Sequence, residues 1–414
     1  MIAFALLVAA SLLGPAAAAS VEAVALQVEP KVSLIDAPVR IRVRGVRPQA
    51  LVTLRARATD RYGKPWESWA TFRSDSSGRV DLQHTRPLRG TYARRDGMGL
   101  FWSMRPIGRR FGRQIVAMHP AAMARVKLSL TESGRTLAHA RIARRIFAAS
   151  MSLQSQSVAS HGFVGRFATP SRGRKPAVLC LGGSNGGTPC GLIAPLLASH
   201  GYPTLALAYF RAPGLPRELK RIPLEYFARA LRWLQRQPGV DPSKLVILGA
   251  SRGGEAALLL GATYPRLIHA VAAYVPSAVV FGSFPNGGSP AWTLRGKAVP
   301  YIQRDLNDAR AIIRVERISG PLFLVSGVQD LVWPSSLYAG EIVSRLKAHN
   351  RTSVTSLVYP RAGHAVADAV PYVPFSTAGS GQYGRLPMGG SVAADSAARA
   401  HSWPRLLSFL QRLE

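Results

Sequence analysis

From Val21 to about Ala149, apolar and polar positions alternate with a period of two. Val39, Ile41 and Val43 interleave with Arg40, Arg42 and Arg44, a pattern that buries one face of a strand and solvates the other. Leu51–Thr59 repeats it, the stretch 61–65 supplies a turn, and Trp66–Arg73 follows. The Asp75–Gly78 turn leads into Val80–Leu82, and Val126, Leu128 and Leu130 lead through Ser133-Gly134 into a last pair of strands. Short strands with regular turns predict an all-β, immunoglobulin-like sandwich over residues 20–150. Trp66, Trp69, Phe101 and Trp102 read as sandwich or interdomain core. His84, His119 and His139 are scattered and form no ligand set.

Beyond Arg166 the period changes. Apolar runs of strand length, Ala177–Leu181, Pro203–Tyr209, Lys244–Leu248, Ala270–Val275 and Leu322–Ser326, alternate with helical segments. Continuous apolar runs suit parallel strands covered on both faces. Leu224, Phe227, Ala228, Leu231 and Leu234 recur at helical spacing and stop before Pro238. Strand–helix alternation with right-handed crossovers predicts a doubly wound, mostly parallel sheet over residues 151–414.

Within that sheet, Gly249-Ala-Ser251-Arg-Gly253 follows one strand and opens an apolar helix. A G-x-S-x-G turn between strand and helix is the nucleophile elbow of an α/β-hydrolase. The tight backbone needs small neighbours, which Gly249 and Gly253 provide, and it lifts Ser251 above the sheet. A serine hydroxyl needs a base held by an acid, in the chain order Ser, Asp/Glu, His. Asp330 ends a strand and turn after Phe323, and His364 lies in the loop that follows Ser353–Val358. Asp368 is a rival acid that breaks this order; His200, His269, His349 and His401 are weaker bases by position. The glycine loop Leu181–Gly187 suits an oxyanion hole, with donors expected from the N–H of Arg252 and from Gly183 or Ser184. It lacks the Lys-Ser/Thr ending of a phosphate-binding P-loop.

Three further features change the picture. Residues 2–13 are almost wholly apolar and run through Gly14-Pro15 into Ala16–Ser20, so residues 1–19 read as a cleaved secretory leader with export to the periplasm or beyond. No later run is long and apolar enough for a stable membrane span. Lys+Arg number 53 against 21 Asp+Glu, for a net charge of +32, and 45 of the basic residues are arginine. They are spread along the chain with no nucleic-acid module, which reads first as a bias toward arginine on a solvated surface and second as a general attraction for polyanions. Two cysteines exclude a four-thiolate metal site. Cys180 in a strand and Cys190 after the glycine loop read as free, small core residues.

These stretches together resemble the acyl-CoA thioesterase and bile acid-CoA:amino acid N-acyltransferase family over nearly the whole mature length. In the first domain the likeness rests on residues 29–39, Trp66–Ala70, Asp75–Leu82 and Gly97–Ser103. In the second it rests on Leu205–Phe210, residues 241–244, Gly249–Glu255, Tyr359–His364 and Trp403-Pro404. The resemblance implies a Ser/Cys–Asp–His triad, which maps onto Ser251, Asp330 and His364. It also implies small-molecule fatty acyl-CoA thioesters as substrates, with no cofactor or metal. Members that pass the acyl group to an amino acid typically carry cysteine as nucleophile, so Ser251 favours water as acceptor. The leader departs from the family, since coenzyme A esters are mainly intracellular. A thioesterase acting through an acyl-enzyme is therefore the leading reading. An exported carboxylester hydrolase, an acyl-CoA:amino acid N-acyltransferase and a catalytically silent anion-binding protein are the alternatives.

Overall fold

A computed structural model describes the chain apart from residues 1–22, 61–62, 109–124, 171–172, 189, 304–307, 375–377 and 382–383. The expected leader, residues 1–19, and His119 lie outside the described residues.

The alternating amino-terminal segments form two sheets. A three-stranded antiparallel sheet holds Ala25–Glu29, Arg40–Arg44 and Val80–Asp81. The second sheet is built on Leu51–Thr59, Pro65–Arg73, Arg125–Glu132 and Arg135–Arg145. Their alternate side chains meet in one core, where Ile41 and Val43 pack with Val52, Leu54, Phe72, Leu128 and Leu130. Trp66, Phe101 and Trp102 are buried with them, as expected of core aromatics.

The second half is an eight-stranded sheet. Its spatial order is Ser152–Gln156, Val164–Thr169, Thr204–Ala208, Lys175–Leu181, Val240–Ala250, Ala270–Tyr274, Leu322–Gly327 and Val354–Tyr359. The first two strands are antiparallel to their neighbours, and every later pairing is parallel. With strand order reversing beside Lys175–Leu181 and helices between the strands, this is the doubly wound α/β-hydrolase sheet. The central strands are buried along their length, as both-face coverage requires. The helix Leu224–Gln235 buries Leu224, Phe227, Ala228, Leu231 and Leu234, the stripe its spacing predicts.

The two halves share a core. Ile41 and Phe101 of the sandwich belong to the same apolar cluster as Trp403, Leu406 and Phe409 of the carboxy-terminal helix Val392–Gln411. Buried Asp36 of the sandwich accepts from His200 Nε2 at 2.6 Å and from Trp403 Nε1 at 2.7 Å. Among the described residues no helix is long and apolar enough to cross a membrane. The expectation of free cysteines is wrong: Cys180 and Cys190 form a disulfide. The strand end and the residue after the glycine loop fold back on each other, a proximity that ten residues of irregular chain do not disclose in sequence.

Candidate active site

The loops that follow the parallel strands converge at their carboxyl ends, where sites of open α/β sheets lie. Ser251 stands between the strand Val240–Ala250 and the helix Arg252–Thr263, with backbone φ 57° and ψ −123°. A non-glycine residue held there is strained, and the surrounding structure must over-determine it. Ser251 N–H donates to the Tyr274 carbonyl at 3.0 Å, which ties the turn to the adjacent strand. A Cβ on Gly249 would collide with the Gly253 carbonyl, and one on Gly253 with the carbonyls of Leu181 and Gly182. Steric closeness, rather than left-handed φ, is what these two glycines answer to.

The structure brings Ser251, His364 and Asp330 together. His364 Nε2 lies 2.9 Å from Ser251 Oγ, and its Nδ1 lies 2.8 Å and 3.0 Å from the two Asp330 oxygens. His364 and Asp330 are both buried. Asp330 Oδ1 also accepts from the N–H of Val332 at 2.9 Å, so the acid is fixed by its own turn. The rival Asp368 is exposed at the end of the 3₁₀ turn His364–Asp368. His401 instead meets the Tyr359 hydroxyl, and His349 the Arg345 carbonyl.

On the other side of Ser251 lies the glycine loop. A Cβ on Gly183 would sit 3.1 Å from Ser251 Cβ and 3.5 Å from its Oγ, so the bare backbone approaches the nucleophile. Ser184 follows, half-buried, in the same turn. The Tyr209 hydroxyl donates to the Gly182 carbonyl at 2.5 Å and holds the loop from below. Arg252 begins the helix, where the first N–H groups lack partners within the helix. The Cys180–Cys190 bridge spans the whole loop.

Several neighbouring side chains were not marked as functional in the sequence, where Arg252 was expected to act through its backbone N–H alone. Arg252 turns its side chain away from the cleft into a buried pair with Glu255 at 2.7 Å, and donates to the carbonyls of Phe281 and Gly282. Glu255 accepts from Trp292 Nε1 at 2.6 Å. Burial pushes the Glu255 carboxyl up to about 7, against the opposing pull of Arg252. Trp333 packs edge-on to His364 and stacks on Phe281, giving the site an apolar wall. Behind the histidine, buried Asp395 accepts from Gly363 N–H at 2.7 Å, and His364 N–H donates to the Met388 carbonyl at 2.7 Å. The only sequence signal for Trp333 was its place three residues after Asp330. Asp395 gave none, because its partner lies 32 residues away. Among the described residues no cluster of His, Cys, Asp and Glu is arranged for a metal.

A buried acid, an imidazole and a serine in one hydrogen-bonded row, beside the bare backbone of Gly183, can perform nucleophilic acyl transfer. Residues 36–157 match a family model described as the acyl-CoA thioester hydrolase/BAAT N-terminal region. Residues 222–285 and 296–413 match one described as the BAAT/acyl-CoA thioester hydrolase C terminal. The chain is 30% identical to acyl-coenzyme A thioesterase 1 of Mus musculus, over 91% of this chain and 93% of that one. It is 28% identical to the mitochondrial acyl-coenzyme A thioesterase 2 of Homo sapiens, over 91% of this chain and 81% of that one. Among solved structures it is similar to a bacterial heroin esterase, at TM-score 0.43 and 16% identity over 64% of this chain and 85% of that one.

Proposed function

Since this chain belongs to the acyl-CoA thioester hydrolase/BAAT family, we propose that it is a serine thioesterase that hydrolyses acyl-CoA to free acid and coenzyme A through an acyl-enzyme. The observation that carries the mechanism is the row Ser251 Oγ, His364 Nε2, His364 Nδ1, Asp330 Oδ2, with contacts of 2.9 Å and 2.8 Å. Ser251 attacks the thioester carbonyl while His364 takes its proton, and Asp330 holds the imidazole in the productive tautomer and steadies its charge. The oxyanion forms against the N–H of Arg252 and the Gly183–Ser184 turn. His364 gives that proton to the coenzyme A sulfur as the C–S bond breaks, and, neutral again, it draws a proton from the water that attacks the acyl-serine; the same proton returns to Ser251 as the free acid leaves. Trp333 and Phe281 offer the acyl chain an apolar wall. Serine as nucleophile favours water as acceptor over an amino acid.

Ser251→Ala is expected to lower kcat on acyl-CoA by about a thousandfold or more, since the triad acts as a unit. Ser251→Cys is expected to acylate and then hydrolyse slowly. Near-normal turnover by folded Ser251→Ala protein removes the assignment.

The second reading is an exported ester hydrolase on the same machinery. The apolar run at residues 2–13 and the Cys180–Cys190 disulfide favour it, because disulfides persist in oxidising compartments. Export places the mature amino terminus near Ser20. Amino-terminal sequencing of protein from its native source checks this, and an intact Met1 in a cytoplasmic fraction removes it. Parallel assays on acyl-CoA and p-nitrophenyl esters separate the two substrates.

A further inference from the structure

The net charge of +32 is spread over the chain, so composition alone points to no particular anion site. The tertiary structure concentrates part of it beside the nucleophile. The loop after the strand Thr204–Ala208 carries Arg211, Arg217, Lys220 and Arg221, all exposed, with Glu218 as its single carboxylate. Among the described residues, Arg217, Lys220 and Arg221 enter no ion pair.

The loop is held firmly at both ends. Arg211 N–H donates to the Pro216 carbonyl at 2.7 Å, and Arg221 N–H to the Pro290 carbonyl at 2.9 Å. Arg211 and Arg221 both take left-handed backbone conformations, with φ of 55° and 52°. Non-glycine residues hold such conformations only where the surroundings enforce them.

The loop also borders the candidate oxyanion turn. A Cβ on Gly186 would lie 2.7 Å from Arg211 Cβ and 2.9 Å from its Cδ, so the arginine stem runs across that glycine. Gly187 N–H donates to the Phe210 carbonyl at 2.8 Å. At its other end the same turn places Gly183 against Ser251. From Gly183 to Gly186 the chain reaches at most ~11 Å. The pantetheine arm between thioester sulfur and pyrophosphate is about as long as four extended residues, ~14 Å.

We infer that the loop Arg211–Arg221 seats the nucleotide end of the substrate, with its cations taking the pyrophosphate and the 3′-phosphate of the coenzyme A moiety. This rests on the thioesterase reading above. A thioester carbonyl at Ser251 and an extended pantetheine arm bring the phosphates to this rim. There, about four negative charges at neutral pH meet four cations, three of them guanidinium groups suited to bidentate contact with phosphate. The site supplies binding and no chemistry, so its loss acts on KM and leaves kcat alone.

The test compares two thioesters of one acyl chain, acyl-CoA and acyl-pantetheine, the second lacking every phosphate. R211Q/R217Q/K220Q/R221Q is set against R232Q/R236Q, which removes arginines at the far end of the helix Leu224–Gln235 and of its crossover. The loop variant is expected to raise KM for acyl-CoA at least about tenfold, with kcat and all acyl-pantetheine kinetics held, the latter also reporting that it folds. The control variant is expected to match wild type on both. Equal losses on the two substrates, no loss on acyl-CoA, or the same loss in the control removes the site while the thioesterase reading stands. Wild-type protein that hydrolyses neither thioester removes the reading, and the site with it.

Discussion

At the scale of the residue, the contest between Asp330 and Asp368 turns on what each carboxylate touches. Asp330 is buried, lies 2.8 Å from His364 Nδ1 and is anchored by the N–H of Val332. Asp368 is exposed. An orienting acid acts by fixing which imidazole nitrogen carries the proton. Asp330→Asn is therefore expected to cost about 10⁴ in kcat through the wrong tautomer. Asp368→Asn leaves that hydrogen bond untouched and is expected to cost less than about tenfold. Turnover of both variants at one pH checks the pair, and the reverse ranking moves the acid to Asp368.

At the scale of the element, the histidine loop is held by the first turn of the carboxy-terminal helix. Asp395 accepts from Gly363 N–H, one residue before His364, so the helix sets the height of the imidazole over Ser251. Asn at position 395 keeps a carbonyl acceptor there and is expected to keep most of kcat. Ala removes the acceptor and is expected to lose about tenfold to a hundredfold through misplacement of the base. Equal activity in the two variants contradicts this. Burial raises the Asp395 carboxyl from 3.8 to about 6, while Gly363 N–H and Arg399 pull it back down. A raised carboxyl favours the folded state below 3.8 and loses that contribution as pH rises through about 6. Thermal melts are therefore expected to show Asp395→Asn gaining on wild type between pH 4 and pH 8. A gap that does not change with pH overturns this.

At the scale of the whole molecule, the sandwich contributes no side chain to the row at Ser251, but it shares its core with the elements that carry it. Asp36 joins the halves, binding His200 at the end of one hydrolase helix and Trp403 in another. Asp36→Ala strands a buried indole N–H and is expected to lower unfolding stability by about 2 kcal/mol. Denaturant titration measures it, and an unchanged midpoint means the shared apolar core alone joins the halves.

The periodicities needed no tertiary information. Alternation at Val39–Val43 and the continuous runs at Ala177–Leu181 and Leu322–Ser326 specify half-buried and fully buried strands because side-chain direction along a strand is local. The Gly249–Gly253 elbow was legible because its spacing and its place between strand and helix are local, although Gly253 also answers to the distant carbonyls of Leu181 and Gly182. The tertiary structure alone decided what depends on distant chain. It paired Cys180 with Cys190, against the local expectation, and set Asp395 under Gly363. It turned the Arg252 side chain inward to the carbonyls of Phe281 and Gly282 and brought Arg211 onto Gly186. Each of these depends on where separate segments of the chain meet in space, which the packing of the sheet and its helices determines and no local pattern encodes.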